Sequence, residues 1–168
     1  MKMKLRALEP EDLSALYEIE NDVDVWACSG TTAPISQYAL RQYIANCKND
    51  IFEDGQLRFV MDVEGHLVGL LDLTNFSPIH RRTEVGIVVR RECRGKGYGK
   101  EALRLLVDYA HRVVGLHQLY AIVSRANEPA LKLFASCGYH ETAILKDWLF
   151  SASGEVQDAC IFQSFLPN

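Results

Sequence analysis

Several features are missing from this chain, and each absence closes a class of function. No run reaches the ~18 apolar residues that a bilayer-spanning helix needs, so no membrane span is expected. The basic start Met1-Lys2-Met3-Lys4-Leu5-Arg6 runs into Glu9, Glu11 and Asp12 rather than an apolar stretch, so it does not read as a signal peptide. Cysteine is sparse: five residues, at 28, 47, 93, 137 and 160, an odd number with no C-x-x-C spacing. A disulfide framework and a zinc knuckle are poor readings, and free thiols in a reducing cytoplasm fit better. The five histidines are scattered and never stand at i, i+4, so a metal site has no support. There is no excess of basic residues: 18 Lys and Arg against 22 Asp and Glu leave a net charge of −4, which argues against nucleic-acid binding through phosphates. The 11 glycines and 5 prolines are not periodic, which removes collagen-like and low-complexity readings.

What is present is an ordinary globular composition. The 168 residues are 48% apolar and 24% charged, enough for one domain, 1–168, with a real core. Alternation over 3–8 predicts a first strand, and Leu13, Leu16 and Ile19 mark a helix after Pro10. Residues 22–35 are rich in turn formers and read as a loop with room for a short helix. Ser36 is an N-cap, followed by an apolar stripe at Leu40, Tyr43, Ile44 and Cys47. Strands are expected over 57–63 and 66–76, joined by the turn Glu64-Gly65, and over 83–89. An amphipathic helix follows through Leu103, Leu106, Val107, Ala110, Val113 and Val114, stopped by Gly115. Then come a strand over 118–124, a helix capped by Asn127 with Pro129 in its first turn, and strands over 139–150 and 156–165. This order gives an α/β (α+β) fold with a mixed sheet.

The richest segment is Val88-Val89-Arg90-Arg91-Glu92-Cys93-Arg94-Gly95-Lys96-Gly97-Tyr98-Gly99-Lys100. A buried strand enters a turn with three alternate glycines, and the turn opens a helix. Glycines allow a ligand to approach bare amides, and a helix start attracts anions. Arg94, Lys96 and Lys100 add positive charge to an acidic protein. The spacing is neither G-x-x-x-x-G-K-[ST] nor G-x-G-x-x-G, and no acidic residue stands near Leu119 to hold a ribose. Nucleotide hydrolysis and NAD binding therefore drop out.

Arg94-x-x-Gly97-x-Gly99 resembles the acyl-CoA pyrophosphate loop of the GCN5-related N-acetyltransferases (GNAT). Glu84-Val85-Gly86-Ile87-Val88-Val89 resembles that family's central strand. Asn127-Glu128-Pro129-Ala130-Leu131-Lys132-Leu133-Phe134-Ala135-Ser136-Cys137-Gly138-Tyr139 resembles its following helix and closing Gly-aromatic. Within the family, Ile79-His80-Arg81-Arg82-Thr83-Glu84 and Asp158-Ala159-Cys160-Ile161-Phe162-Gln163 look most like spermidine and ribosomal-protein N-acetyltransferases.

The resemblance implies a twisted mixed sheet flanked by about four helices. It implies a splay between the strand ending at Val89 and the strand Gln118–Ser124. Acetyl-CoA would be the co-substrate, with pantetheine on the backbone of Ile87, Val88 and Val89. The pyrophosphate would sit on the amides of Arg94, Gly95, Lys96, Gly97, Tyr98, Gly99 and Lys100. Asn127 and Lys132 match positions at the far side of the cofactor. Phe134 stands where many relatives place a tyrosine that protonates the leaving thiolate. Cys137 is a weak substitute there and reads first as a small apolar residue. Tyr139 reads as core.

An alkyl amine with a pKa near 10.4 is almost wholly protonated at neutral pH, so a carboxylate must take its proton. Glu84 is the candidate base, against the alternative of a carboxylate paired with Arg81 or Arg82. Trp26, Cys28 and Tyr38 fall in the segment of the acceptor wall, and Trp148 reads as core or a dimer contact. Glu20, Asp22 and Asp24 bring negative charge, whereas Ser29-Gly30-Thr31-Thr32-Ala33-Pro34 carries no acid. The acceptor is a polyamine, a protein N-terminus or another small amine. A catalytically weak acyl-CoA sensor is the reading of another class. Relatives form homo-oligomers, and no nucleic acid, membrane or metal is expected.

Overall fold

The computed structural model describes residues 2–151 and 153–167, the side chains of Ala27 and Cys28 excepted. Seven strands form one sheet: β1 (Met3–Arg6), β2 (Leu57–Val63), β3 (His66–Ser77), β4 (Arg82–Val89), β5 (Gln118–Ser124), β6 (His140–Phe150) and β7 (Val156–Phe165). Their spatial order is β1-β2-β3-β4-β5-β7-β6. Every neighbouring pair is antiparallel except β4 and β5. That parallel pair needs a crossover, supplied by the long helix between the strands.

Six α-helices surround the sheet: α1 (Leu13–Glu20), α2 (Val23–Ser29), α3 (Gln37–Asn46), α4 (Ile51–Asp54), α5 (Tyr98–Tyr109) and α6 (Glu128–Ser136). The sequence expectation of about four is exceeded by α2 and α4, which have 7 and 4 residues. Both are too short to show apolar periodicity, and each is set by local capping. Asp22 and Asp50 accept the amides of Asp24 and Phe52, and Gly30 and Gly55 close the ends in the left-handed region. The expected helix to Val114 holds its α form only to Tyr109, and Ala110–Val114 widens into a π turn before Gly115. Ser36 caps α3 through Ala39 at 3.1 Å, as its type and place predict. Glu64 and Gly65 both take positive φ, the geometry of a two-residue hairpin turn.

Each face of the sheet carries its own layer. Leu57, Met61, Leu71, Leu73 and Val85 meet Leu103 and Leu106 of α5 and Phe134 of α6. Val60, Leu70 and Val88 meet Leu16 and Ile19 of α1 and Leu40 of α3. Alternation along β4 therefore assigns Val85, Ile87 and Val89 to the α5 face and Glu84, Gly86 and Val88 to the α1–α3 face. Burying each of the central leucines contributes ~2 kcal/mol. The outer strand β6 is mostly exposed, and Trp148 is 54% accessible, so neither it nor Phe150 is core. Tyr139 is buried at 2%, as expected.

Candidate active site

β4 and β5 make three rungs only: Arg82 with Gln118, Thr83 with Leu119, and Glu84 with Tyr120. Beyond the third rung β4 stays on β3 as far as Val89, while β5 stays on β7 as far as Ser124. The sheet opens between them. Arg90 N–H donates to the Val68 carbonyl at 2.9 Å. Ladder parity then turns the amides and carbonyls of Val85, Ile87 and Val89 toward the gap, and those of Val88 toward β3.

The glycine turn closes the wide end of this gap. Gly95 and Gly97 have φ of 74° and 82°, and a Cβ on either would meet nothing within 4 Å. Gly97 caps α5 without a side-chain acceptor, and the first bond back into the turn is Glu101 N–H to the Gly97 carbonyl. The amides of 95–100 have no hydrogen-bond acceptor among the described residues. Gly99 differs: a Cβ there would lie 3.1 Å from Leu133, so it lets α6 close onto the start of α5. Arg94 Nε donates to the Val89 carbonyl at 3.0 Å, and neither it nor Lys96 nor Lys100 is in an ion pair among the described residues. The turn thus presents free amides and unpaired positive charge together. A groove continues from it between α5 and α6, past Lys100 and Arg104 on one wall and Ser136 and Cys137 on the other.

Other predicted residues take different places. Asn127 Oδ1 caps α6 through Ala130 N–H at 3.2 Å. Lys132 is exposed, 3.6 Å from Glu128. Phe134 is 3% accessible and sits edge-on to Tyr139, ring centres 5.1 Å apart, with Phe162 behind it. The Tyr139 hydroxyl is buried with no hydrogen-bond partner among the described residues, and burial raises its pKa.

Glu84 lies at the narrow end of the gap. Its Oε2 accepts from Asn75 Nδ2 at 2.7 Å, and it pairs with neither Arg81 nor Arg82. Arg81 Nε donates instead to the Gly115 carbonyl. Asn75 sits where β3 slips register against β4, with φ of 50°. Tyr120 flanks Glu84 across the last rung. Its pKa is raised by burial first and by the Glu84 charge second.

On the same face, Arg58 grips Asp72 with two bonds of 2.7 Å and Glu20 with one of 2.6 Å. Tyr43 stacks its ring 5.6 Å from that guanidinium, and burial pushes its phenol up to about 12. Arg90 pairs with Glu18 and Glu92, and Arg91 with Asp22 and Asp24. Trp26 Nε1 donates to the Glu20 carbonyl at 2.7 Å, which ties α2 to α1. Tyr38 is exposed, and the Cys28 side chain lies outside the described residues. Among the described residues no three His, Cys, Asp or Glu gather as metal ligands, and no helix is long and apolar enough to cross a membrane.

Asn75, Tyr120, Arg58 and Asp72 escaped sequence reasoning. One signal was present: a polar Asn inside an apolar strand run is out of place unless a bulge turns it. Alternation also put Tyr120 opposite buried Leu119 and Ala121, facing away from the α5 core.

Residues 2–140 match the family model for the acetyltransferase (GNAT) domain. The chain is 31% identical over 167 residues to the spermidine N(1)-acetyltransferase of Escherichia coli K12, covering 96% of this chain and 86% of that protein. It is 28% identical over 158 residues to the spermidine N(1)-acetyltransferase of Vibrio cholerae, covering 94% and 89%. It also superposes on the crystal structure of spermidine N-acetyltransferase from Vibrio cholerae in complex with CoA and spermine. The TM-score is 0.86, at 27% identity over 97% of this chain and 95% of that one.

Proposed function

The chain belongs to the GNAT acetyltransferase family, and from that premise we propose that it moves the acetyl group of acetyl-CoA directly to a primary amine of a polyamine such as spermidine. The observation that carries this reading is the parting of β4 from β5 after Glu84 and Tyr120, with bare amides at its wide end. Pantetheine lies along the open edge of β4, on the polar groups of Ile87 and Val89. The N–H groups on that edge stabilise the oxyanion that forms on the thioester carbonyl. The diphosphate rests on the amides of 95–100 beside Arg94, Lys96 and Lys100, and the nucleotide end follows the groove between α5 and α6, near Asn127 and Lys132.

The acceptor enters from the α1–α3 face. Six carboxylates there (Glu18, Glu20, Asp22, Asp24, Asp72 and Glu84) face four arginines (Arg58, Arg82, Arg90 and Arg91). The surplus negative charge favours a cationic substrate. Glu84, held by Asn75, takes the proton from the attacking amine, directly or through water. One domain, 1–168, carries the whole reaction, since the single sheet joins β1 to β6. The protein works in the cytoplasm, where acetyl-CoA is supplied and thiols stay reduced.

The test is steady-state thiol release from acetyl-CoA with spermidine, spermine, N-terminal peptides and aminoglycosides. Polyamines should have the highest kcat/KM, and Glu84→Gln should lower it ~10²-fold. A preference for peptides or aminoglycosides overturns the polyamine reading. The buried, hydroxyl-free Phe134 favours one other reading, a catalytically weak acyl-CoA sensor. Tight CoA binding with no turnover of any amine selects it.

A further inference from the structure

We propose that Tyr120 gives the departing thiolate its proton and that Glu84, its partner on the same rung, restores it; this rests on the acetyl-transfer reading above. A thiolate leaving acetyl-CoA needs a proton, and helix α6 offers none at Phe134. The Tyr139 hydroxyl is sealed in the core behind that ring. Tyr120 has the opposite situation. It is half-buried, stands on the last rung before the strands part, and shares its partner's face of the sheet. Its hydroxyl makes no hydrogen bond among the described residues. From Val89 back to Glu84, β4 covers roughly 17 Å at strand rise, the order of length of an extended pantetheine arm. A diphosphate on the glycine turn therefore brings the sulfur to this rung.

The protons balance. The ammonium first loses one proton to solvent; the neutral amine nitrogen then bonds to the acetyl carbon and passes its second proton to the Glu84 carboxylate. The C–S bond breaks, and sulfur takes the phenol proton of Tyr120. The resulting phenolate then takes the proton from the Glu84 carboxylic acid, and both groups return to their starting states. The surroundings time the exchange. Burial and the Glu84 charge keep Tyr120 protonated, while Arg82 opposes them more weakly. From β7 the facing residue is the neutral Gln163, and the neutral Asn75 of β3 donates to Glu84. Once Glu84 is neutralised by the amine proton, its share of the hold on the phenol proton is gone while burial remains, and the phenol becomes a stronger acid than before as the thiolate forms.

Two measurements decide the matter. In tyrosine labelled with 13C at Cζ, the resonance of Tyr120, assigned by its loss in Tyr120→Phe, should titrate at lower pH in Glu84→Gln than in the unaltered protein. An unchanged titration overturns the relay whatever the acceptor. In the assay, Tyr120→Phe should lower kcat ~10²-fold while leaving the KM for acetyl-CoA within about twofold. If that variant does not fold, 3,5-difluorotyrosine at 120, nearly isosteric, should move the basic limb of the kcat profile to lower pH. Normal kcat in folded Tyr120→Phe, or an unmoved basic limb, overturns the role of Tyr120 alone. Failure of the unaltered protein to acetylate any amine overturns the acetyltransferase reading itself, and this inference with it.

Discussion

Asn75 Nδ2 lies 2.7 Å from Glu84 Oε2, across a register slip between β3 and β4. Two residues, Asn75 and Phe76, stand between the rungs of Thr74 and Ser77, where β4 has only Thr83. The extra residue turns Asn75 to a φ of 50° and points its amide along the sheet at the carboxylate. The bulge thus both orients the candidate base and fixes which oxygen is free to accept a proton.

Asn75→Gly therefore separates folding from catalysis. Glycine tolerates the positive φ, so stability should stay within about 1 kcal/mol of the parent in urea melts. Glu84 loses its one hydrogen-bond partner among the described residues, and kcat should fall roughly tenfold with acetyl-CoA binding intact. An unchanged kcat would show that Glu84 needs no orientation.

Gly69 of β3 sits against the backbone of β4. A Cβ there would lie 2.3 Å from the Val88 carbonyl oxygen and 2.9 Å from Met61 Sδ. The sulfur can swing aside; the carbonyl cannot move without the strand. Beyond its third rung β4 has no neighbour on its other edge, so the strand would yield into the gap. Gly69→Ala should cost ~2–3 kcal/mol and raise the KM for acetyl-CoA more than that for the amine. Equal effects on both would argue against a narrowed gap.

Tyr139 offers a contrast with Tyr120. Its hydroxyl is buried with no hydrogen-bond partner among the described residues, a state that costs about 1–3 kcal/mol of desolvation. Tyr139→Phe keeps the edge-on contact with Phe134 and removes the unsatisfied group. The melting midpoint should rise or hold, and kcat should not change. A large loss of kcat would move the proton donor to Tyr139.

Arg6 bridges two buried carboxylates, Asp12 at 2.7 Å and Asp62 at 2.6 Å. Burial pushes both acids up, but the Arg6 bonds and the backbone amides of Glu9 and Gly65 outweigh it, so both pKa values end below the ordinary carboxylate value. The unfolded chain then binds these protons first on acidification. The stability from the pair is complete above about pH 4 and is lost as pH falls through the lowered folded values. Asp62→Asn should flatten the pH dependence of stability below pH 4. Arg6→Ala should cost ~3 kcal/mol near neutrality, since two buried charges lose their counterion while Arg6 itself is partly solvated. Urea unfolding from pH 3 to 7 reads both effects.

The sequence alone determined what local physics controls. Apolar runs bounded by turn formers placed β2, β5 and β7 with the bounds the structure shows, because strands carry such runs and turns interrupt them. Glycines at 95 and 97 marked the candidate anion-binding turn, because only a residue without Cβ enters that backbone region freely. Glu84 was marked by the family resemblance, at the start of the central strand. Tertiary structure decided the rest. Whether β4 and β5 part after Glu84 depends on β5 following β7 instead, a choice between partners far apart in the chain. The neighbours of Glu84, Asn75 from β3 and Tyr120 from β5, come together only through sheet register. Glu20, Asp22 and Asp24 read as negative charge in the sequence, and only the fold shows that Arg58 and Arg91 hold them. Charge is written in composition, but its pairing depends on distances that the chain sets only when it closes.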